Sequence, residues 1–251
     1  MDVIVVARTL ERAADACARI AAELPAARTQ PLDADLSHLS AVRRLAAQVS
    51  IAQPRLNVLI NNAGLICRRR QLTVDGFERT FAINVIAPFL FAQLLLDTLA
   101  GNAPARIVNV SSDSHEHARI DFANLNAERR FWPPLAYGQS KLALVLWTKE
   151  LARRVDPALV SVNAVHPGFV ATRLGNIGGV VEFGWSFMKP WGLSARDGAR
   201  TSVYVASAPE LAGVSGRYFH ECKIAPTNPL ADDRELAGRL WAYLEKATSA
   251  G

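Results

Sequence analysis

Cysteine is scarce in this chain, with three among 251 residues. Cys17, Cys67 and Cys222 stand far apart and share no metal-ligand spacing, which argues against a zinc module or a disulfide framework and fits a reduced, cytoplasmic protein. No uninterrupted apolar run is long enough to cross a bilayer, and the N-terminus lacks a signal-peptide pattern. Long basic blocks are also missing. The net charge of +5 comes from scattered arginines, and the one short cluster, Arg68-Arg69-Arg70, reads as a solvated loop and not as a nucleic-acid footprint. There is no internal repeat, low-complexity linker or compositional break, so residues 1–251 are expected to form a single domain. Half the residues are apolar and a fifth are charged, enough for a soluble chain to bury a substantial core.

What is present alternates between strands and helices. Asp2-Val3-Ile4-Val5-Val6-Ala7 is a β-branched run expected to be buried on both faces. Helical patterning follows over residues 10–24, a second strand precedes Leu32-Asp33, and a second helix covers residues 40–49. Further strands are expected at 56–60, 106–110, 160–165 and 216–219. Helices are expected at 74–99, bent near Pro88, along the segment of Tyr137, and at 194–206. Such alternation predicts an α/β fold, a doubly wound parallel sheet covered on both faces. Ligands of such sheets sit outside the carboxyl ends of the strands. Here those ends carry Asp35, Asn62-Ala63-Gly64, Ser111-Ser112 and Pro167-Gly168.

Leu135-Ala136-Tyr137-Gly138-Gln139-Ser140-Lys141 is the chemically informative stretch. A tyrosine and a lysine four residues apart on a helix share one face. An ammonium beside a phenol favours the phenolate, so the pKa of Tyr137 is expected to fall towards neutrality, where it exchanges protons readily. Together with Asn61-Asn62-Ala63-Gly64, Asn84 in Phe81-Ala82-Ile83-Asn84-Val85, Ser112 and Pro167-Gly168, this stretch resembles the short-chain dehydrogenase/reductase family. The match follows the family's order over almost the whole chain. The roughly two dozen residues between Ser112 and Tyr137 exceed the family's usual interval. That loop, with the tail Gly213-Val214-Ser215-Gly216-Arg217-Tyr218-Phe219 and Arg239-Leu240-Trp241, resembles the retinol-dehydrogenase-like subgroup.

The resemblance implies a Rossmann-like fold and an oxidoreductase moving a hydride between a nicotinamide cofactor and an alcohol/carbonyl pair. Tyr137 would exchange the proton and Lys141 would lower its pKa and bind the nicotinamide ribose. Ser112 would hydrogen-bond the reacting oxygen, with Ser111 structural. Asn84 would hold a bend in its helix and anchor a water reaching Lys141. Asn62, Ala63 and Gly64 would admit the adenosine side, Asp35 and Leu36 would flank the adenine, and Pro167, Gly168, Val170 and Thr172 would border the nicotinamide. Arg8 stands where NAD-selective members carry an acidic residue, which favours NADP, with NAD as the alternative. Family habit suggests a homodimer or homotetramer through the helices around 85–99 and 142–151.

One part of the family pattern is absent. No Thr-Gly-x-x-x-Gly-x-Gly turn occurs, and the chain opens at what corresponds to the family's second strand. The fold is therefore expected to lack the family's first strand and first helix, whose place lies between strands 2–7 and 56–60. Those strands would either pair directly or leave unpaired edges. A longer natural chain, or a truncated product with impaired cofactor binding, would account for this. The alternative function is a catalytically silent member serving as a binding or scaffold protein, or a non-functional fragment. Segment 179–193, with Phe183, Trp185, Phe187, Met188 and Trp191, corresponds to the substrate lid and suggests a lipophilic substrate; core packing or a dimer contact is the competing explanation. His115-Glu116-His117 makes a weak metal site, so no metal is expected. Ser112 with His115 or His166 makes a weak hydrolase, for no Gly-x-Ser-x-Gly elbow surrounds the serine.

Overall fold

The computed structural model describes residues 2–168 and 194–249. Strand β1 (Asp2–Ala7) leads through helix α1 (Leu10–Glu23) to β2 (Arg28–Asp33), which pairs with it in parallel. Thr9 starts α1 by accepting a hydrogen bond from the Arg12 N–H, and Ala13 and Cys17, one turn apart, are its buried face. Helix α2 (Leu39–Ala52) buries Leu39, Val42, Leu45, Ala46 and Val49, a continuous helical stripe. Strand β3 (Val58–Asn61) opens the second sheet. It is followed by α3 (Arg79–Ala100), β4 (Ala105–Val110), α4 (Pro133–Arg154), β5 (Val160–His166), α5 (Ala195–Ser207), β6 (Tyr218–His220), β7 (Lys223–Ile224) and α6 (Arg234–Ser249). The sheet order is β3-β4-β5-β6-β7, parallel up to β6 and closed by the antiparallel β7.

Strands β4 and β5 are buried almost throughout, as their β-branched runs require. The expectation for residues 2–7 fails. Val6 is 37% exposed, and in β3 Val58 and Ile60 are similarly open. The reason is topological: the strands form two sheets, and β1 and β3 each hydrogen-bond to one neighbour only, so each has an unpaired edge among the described residues. Of the two outcomes expected for these strands, the open one is found.

Helix α3 starts at Arg79, not at residue 74. Gly76 sits at φ +81°, a turn conformation, and the buried Glu78 carboxylate then caps the helix by accepting from the N–H groups of Thr80 and Phe81. Its bend is a π-helical turn, Ala82–Ile86. Pro88 explains it: a proline ring clashes with the carbonyl four residues earlier, which here belongs to Asn84, and the wider turn relieves this. By length and composition Arg79–Ala100 could cross a membrane, contrary to the sequence expectation, but 72% of its most apolar stretch is buried as core. Helix α6 packs against α3 and α4. Trp241 meets Phe89 edge-on at 4.9 Å, and the Arg154 guanidinium lies 4.1 Å over the Trp241 ring. Helix α6 and strand β7 were not expected from the sequence.

Candidate active site

The carboxyl ends of β3, β4 and β5 bring the expected groups to one rim. Asn84 sits in the middle of the π turn, 2% exposed, with its side chain fully engaged. Its Oδ1 accepts from the Leu65 N–H at 2.9 Å, and its Nδ2 donates to the Leu65 carbonyl and to the Ser140 hydroxyl. Asn84 thus ties the loop after β3 to α4, and the bend expected of it is where it lies. Gly64 completes this junction. A Cβ built on it would stand 3.4 Å from both Asn84 Oδ1 and Lys141 Nζ, so the loop, the π turn and α4 meet at one point.

Lys141 is 4% exposed and donates to the Val110 carbonyl at 2.9 Å. Burial pushes its pKa down from 10.5 to about 8. Ser111 is buried, and its hydroxyl donates to the Lys141 carbonyl. The phenol of Tyr137 behaves differently from the sequence expectation. Its pKa is pushed up to about 12, first by burial, against a hydrogen bond with Ser112 that lowers it, with Asp113 adding to the rise. The ammonium of Lys141 lies 5.5 Å over the ring and donates to Val110, and burial of the phenol outweighs whatever the charge supplies.

Ser112 stands half-buried beside Tyr137. Its hydroxyl donates to Asp113 at 2.8 Å and accepts from the Ser114 N–H. What lets α4 come so close to this loop is Gly138, where a Cβ would lie 2.8 Å from the Ser114 carbonyl oxygen, nearer than real Cβ atoms stand. Behind the rim, Asn61 Nδ2 donates to Asn109, and Asn109 donates to Thr148 of α4. This buried polar chain fixes β3, β4 and α4 in register.

The remaining expected residues lie around these. Arg8 is exposed at the end of β1, and Asn62 and Ala63 are exposed after β3. Asp35, on the loop after β2, accepts from the Ser37 hydroxyl and N–H, which hold its carboxyl below the usual range despite partial burial. Leu36 beside it is half-buried. Pro167 and Gly168 follow β5, Gly168 at φ +79°. Val170, Thr172 and the expected lid 179–193 lie outside the described residues.

His115 is entirely buried and departs from both weak readings of its motif. Its Nδ1 faces the Ser112 carbonyl at 2.6 Å, not the hydroxyl, so it makes no serine–histidine nucleophile pair. Among the described residues no group of three His, Cys, Asp or Glu side chains is placed to hold a metal. His166 has its Nε2 4.0 Å from Asp113, and its ring packs against His220 at 4.6 Å.

The parallel sheet thus carries a buried lysine and a tyrosine on one helix face, beside a serine at a strand end. The chain belongs to the short chain dehydrogenase family, whose profile matches residues 1–177. Human retinol dehydrogenase 14 is 42% identical over 84% of this chain, and human retinol dehydrogenase 13 is 41% identical over 96%. The chain spans 64% and 75% of their respective lengths. Among solved structures, one of a Mycobacterium paratuberculosis protein superposes with a TM-score of 0.76 at 32% identity, covering 98% of this chain and 83% of that one. Pseudomonas aeruginosa RhlG in complex with NADP follows at 0.66 and 28%, covering 86% and 83%.

Proposed function

We propose that this chain is an NADP(H)-dependent oxidoreductase of a lipophilic alcohol/carbonyl pair, acting on a small molecule in the cytoplasm. The observation that carries the reading is the meeting of Gly64, Asn84 and Lys141 at one point, beside Ser112 and Tyr137. The residues fit a nicotinamide nucleoside. An ammonium has three donors, and the buried one of Lys141 uses a single protein acceptor among the described residues, which leaves two for ribose hydroxyls. The bare Gly64 keeps open the space beside it. When bound, the cofactor would supply or accept the hydride.

The chain's own groups then divide the work. Tyr137, protonated at neutral pH, would donate to a carbonyl oxygen, and Ser112 would hold that oxygen. Lys141 would hold the ribose, and its positive charge would stabilise negative charge arriving at Tyr137. Asn84 would keep the π turn, and with it the loop of Gly64, in place. NADP is favoured over NAD by the exposed Arg8 at the end of β1, and it draws support from the relative crystallised with NADP. The lipophilic substrate rests on the retinol dehydrogenases among the relatives and on the aromatic composition of 179–193. Cytoplasmic residence rests on the three free thiols.

A second reading, a silent binding member, draws on the unpaired edges of β1 and β3. Titration with NADPH, followed by reduction of all-trans-retinal, separates the two. Saturable binding with turnover that Tyr137→Phe abolishes, at nearly unchanged NADPH affinity, is the expected result. Binding without turnover would favour the silent member, and substantial activity in Tyr137→Phe would remove the proton-donor role.

A further inference from the structure

His115 is the most deeply buried titratable group that this chemistry leaves unused. Its two ring nitrogens face partners of opposite kind. Nδ1 lies 2.6 Å from the Ser112 carbonyl, an acceptor only, whereas Nε2 lies 3.4 Å from the Asn228 backbone N–H, a donor only. One arrangement alone satisfies both: neutral imidazole with the proton on Nδ1. The surroundings hold that state. Burial lowers the pKa of His115, aided by Lys149 on α4 and opposed by Ser112, Glu116 and Asp113 of its own loop. Tyr218 of β6 packs against the ring at 4.7 Å. His166 of β5 also faces this cluster, with its own pKa lowered first by burial.

The partner residue is anchored in turn. Asn228 donates through its side chain to the carbonyls of His115 and Ala118. Lys149 of α4, two helical turns beyond Lys141, donates to Thr227 and Asp232 on either side of Asn228. A closed path therefore runs from α4 through segment 227–232 to His115 and the backbone of Ser112. On the opposite side Gly138 of α4 touches the same loop.

We propose that His115 is a positioning residue: its neutral ring clamps the Ser112 loop to segment 227–232, and through Lys149 to the helix of Tyr137, setting how Ser112 meets Tyr137. The proposal rests on the oxidoreductase reading for its consequence, but not for its geometry. A shift of the serine loop by an ångström would cost turnover about 100-fold in the limit, while the NADPH-binding groups stay where they are.

The test uses the full chain in two measurements. In the first, nitrogen NMR of histidine-labelled protein reads the His115 tautomer. A protonated Nδ1 and bare Nε2, persisting well below pH 6.5, are expected; a protonated Nε2, or free titration near 6.5, overturns the proposal. In the second, retinal reduction is compared across variants. His115→Phe is expected to lower kcat about 10- to 100-fold with little change in the KM for NADPH. His115→Gln keeps an acceptor where Nε2 stands, facing the Asn228 N–H, and should recover much of that loss. Equal losses in both variants, or a loss confined to KM, overturn the proposal. A wild-type chain that does not reduce retinal counts against the oxidoreductase reading alone, and the tautomer then decides the clamp.

Discussion

Replacing Lys141 by methionine should make this protein more stable while abolishing its proposed activity. The ammonium is 4% exposed, and burial lowers its pKa from 10.5 to about 8. At about 1.4 kcal/mol for each tenfold change in proton affinity, holding the charge there costs about 3 kcal/mol at pH 7. Methionine has similar length and no charge, so this cost disappears. Its loss leaves the Val110 carbonyl without the 2.9 Å hydrogen bond, which returns about 1 to 2 kcal/mol. The net gain is about 1 to 2 kcal/mol, or several degrees in Tm for a chain of this size. The pH dependence provides a sharper check. A lysine whose folded pKa is depressed destabilises fully below about pH 8, and the penalty fades as pH rises towards 10.5. Between pH 7 and 9.5 the wild type should therefore gain about 2 kcal/mol that Lys141→Met does not. That window lies below the range where Tyr137, raised to about 12, begins to act in the opposite sense. Thermal melts of both proteins across it measure the difference. A variant that melts below wild type at pH 7 and keeps the wild-type slope would refute the claim that the site stores a desolvated charge.

Three other outcomes follow from the geometry. Arg8→Ala should weaken NADPH about 10- to 100-fold while leaving NADH nearly unchanged, as expected for one lost charge-assisted contact; equal losses in fluorescence titrations would remove the phosphate preference. Gly138→Ala should cost about 1 to 3 kcal/mol by overpacking, despite alanine's better helix propensity, because its Cβ would lie 2.8 Å from the Ser114 carbonyl. An unchanged or higher melting temperature would contradict that contact. Acidification should destabilise the fold below about pH 6.5, where unfolded histidines take up protons. His115 and His166 both have folded pKa values lowered first by burial, so their contribution is present above 6.5 and is lost as pH falls towards the folded values. A flat melting temperature from pH 7 to 5 would show these rings to be freely solvated.

What could be read from the amino acids depended on whether a residue's task is local. The strands expected at 106–110 and 160–165 and the helix expected at 40–49 are written in local residue types, and the structure forms β4, β5 and α2 there. The same reasoning misjudged 2–7, because burial on both faces needs neighbours on both edges, and an edge is not written in the strand itself. Helix α6 was legible in retrospect: Ala237, Leu240, Trp241 and Leu244 recur at helical spacing, and they are the residues it buries. In the site, Asn84, Ser112, Tyr137 and Lys141 were found by resemblance, and the π turn at Asn84 could have been argued from Pro88 four residues on.

The direction of the Tyr137 shift was missed for a different reason. Spacing on a helix puts an ammonium near a ring, but whether that charge or desolvation wins depends on how deeply the phenol is buried, which spacing does not state. Asn228 carried no signal at all, since its partners are 110 and 113 residues away and its role exists only after the loop has folded. Close contact sets the same limit at Gly138, a residue that looks like a defect within a helix until Ser114 arrives beside it. The proton-donating phenol can be named from one heptapeptide, whereas the parts that would hold a serine in front of it come from β4, α4 and segment 227–232. The rate effect of replacing Gly138 or His115 should therefore exceed what either residue's own chemistry could account for.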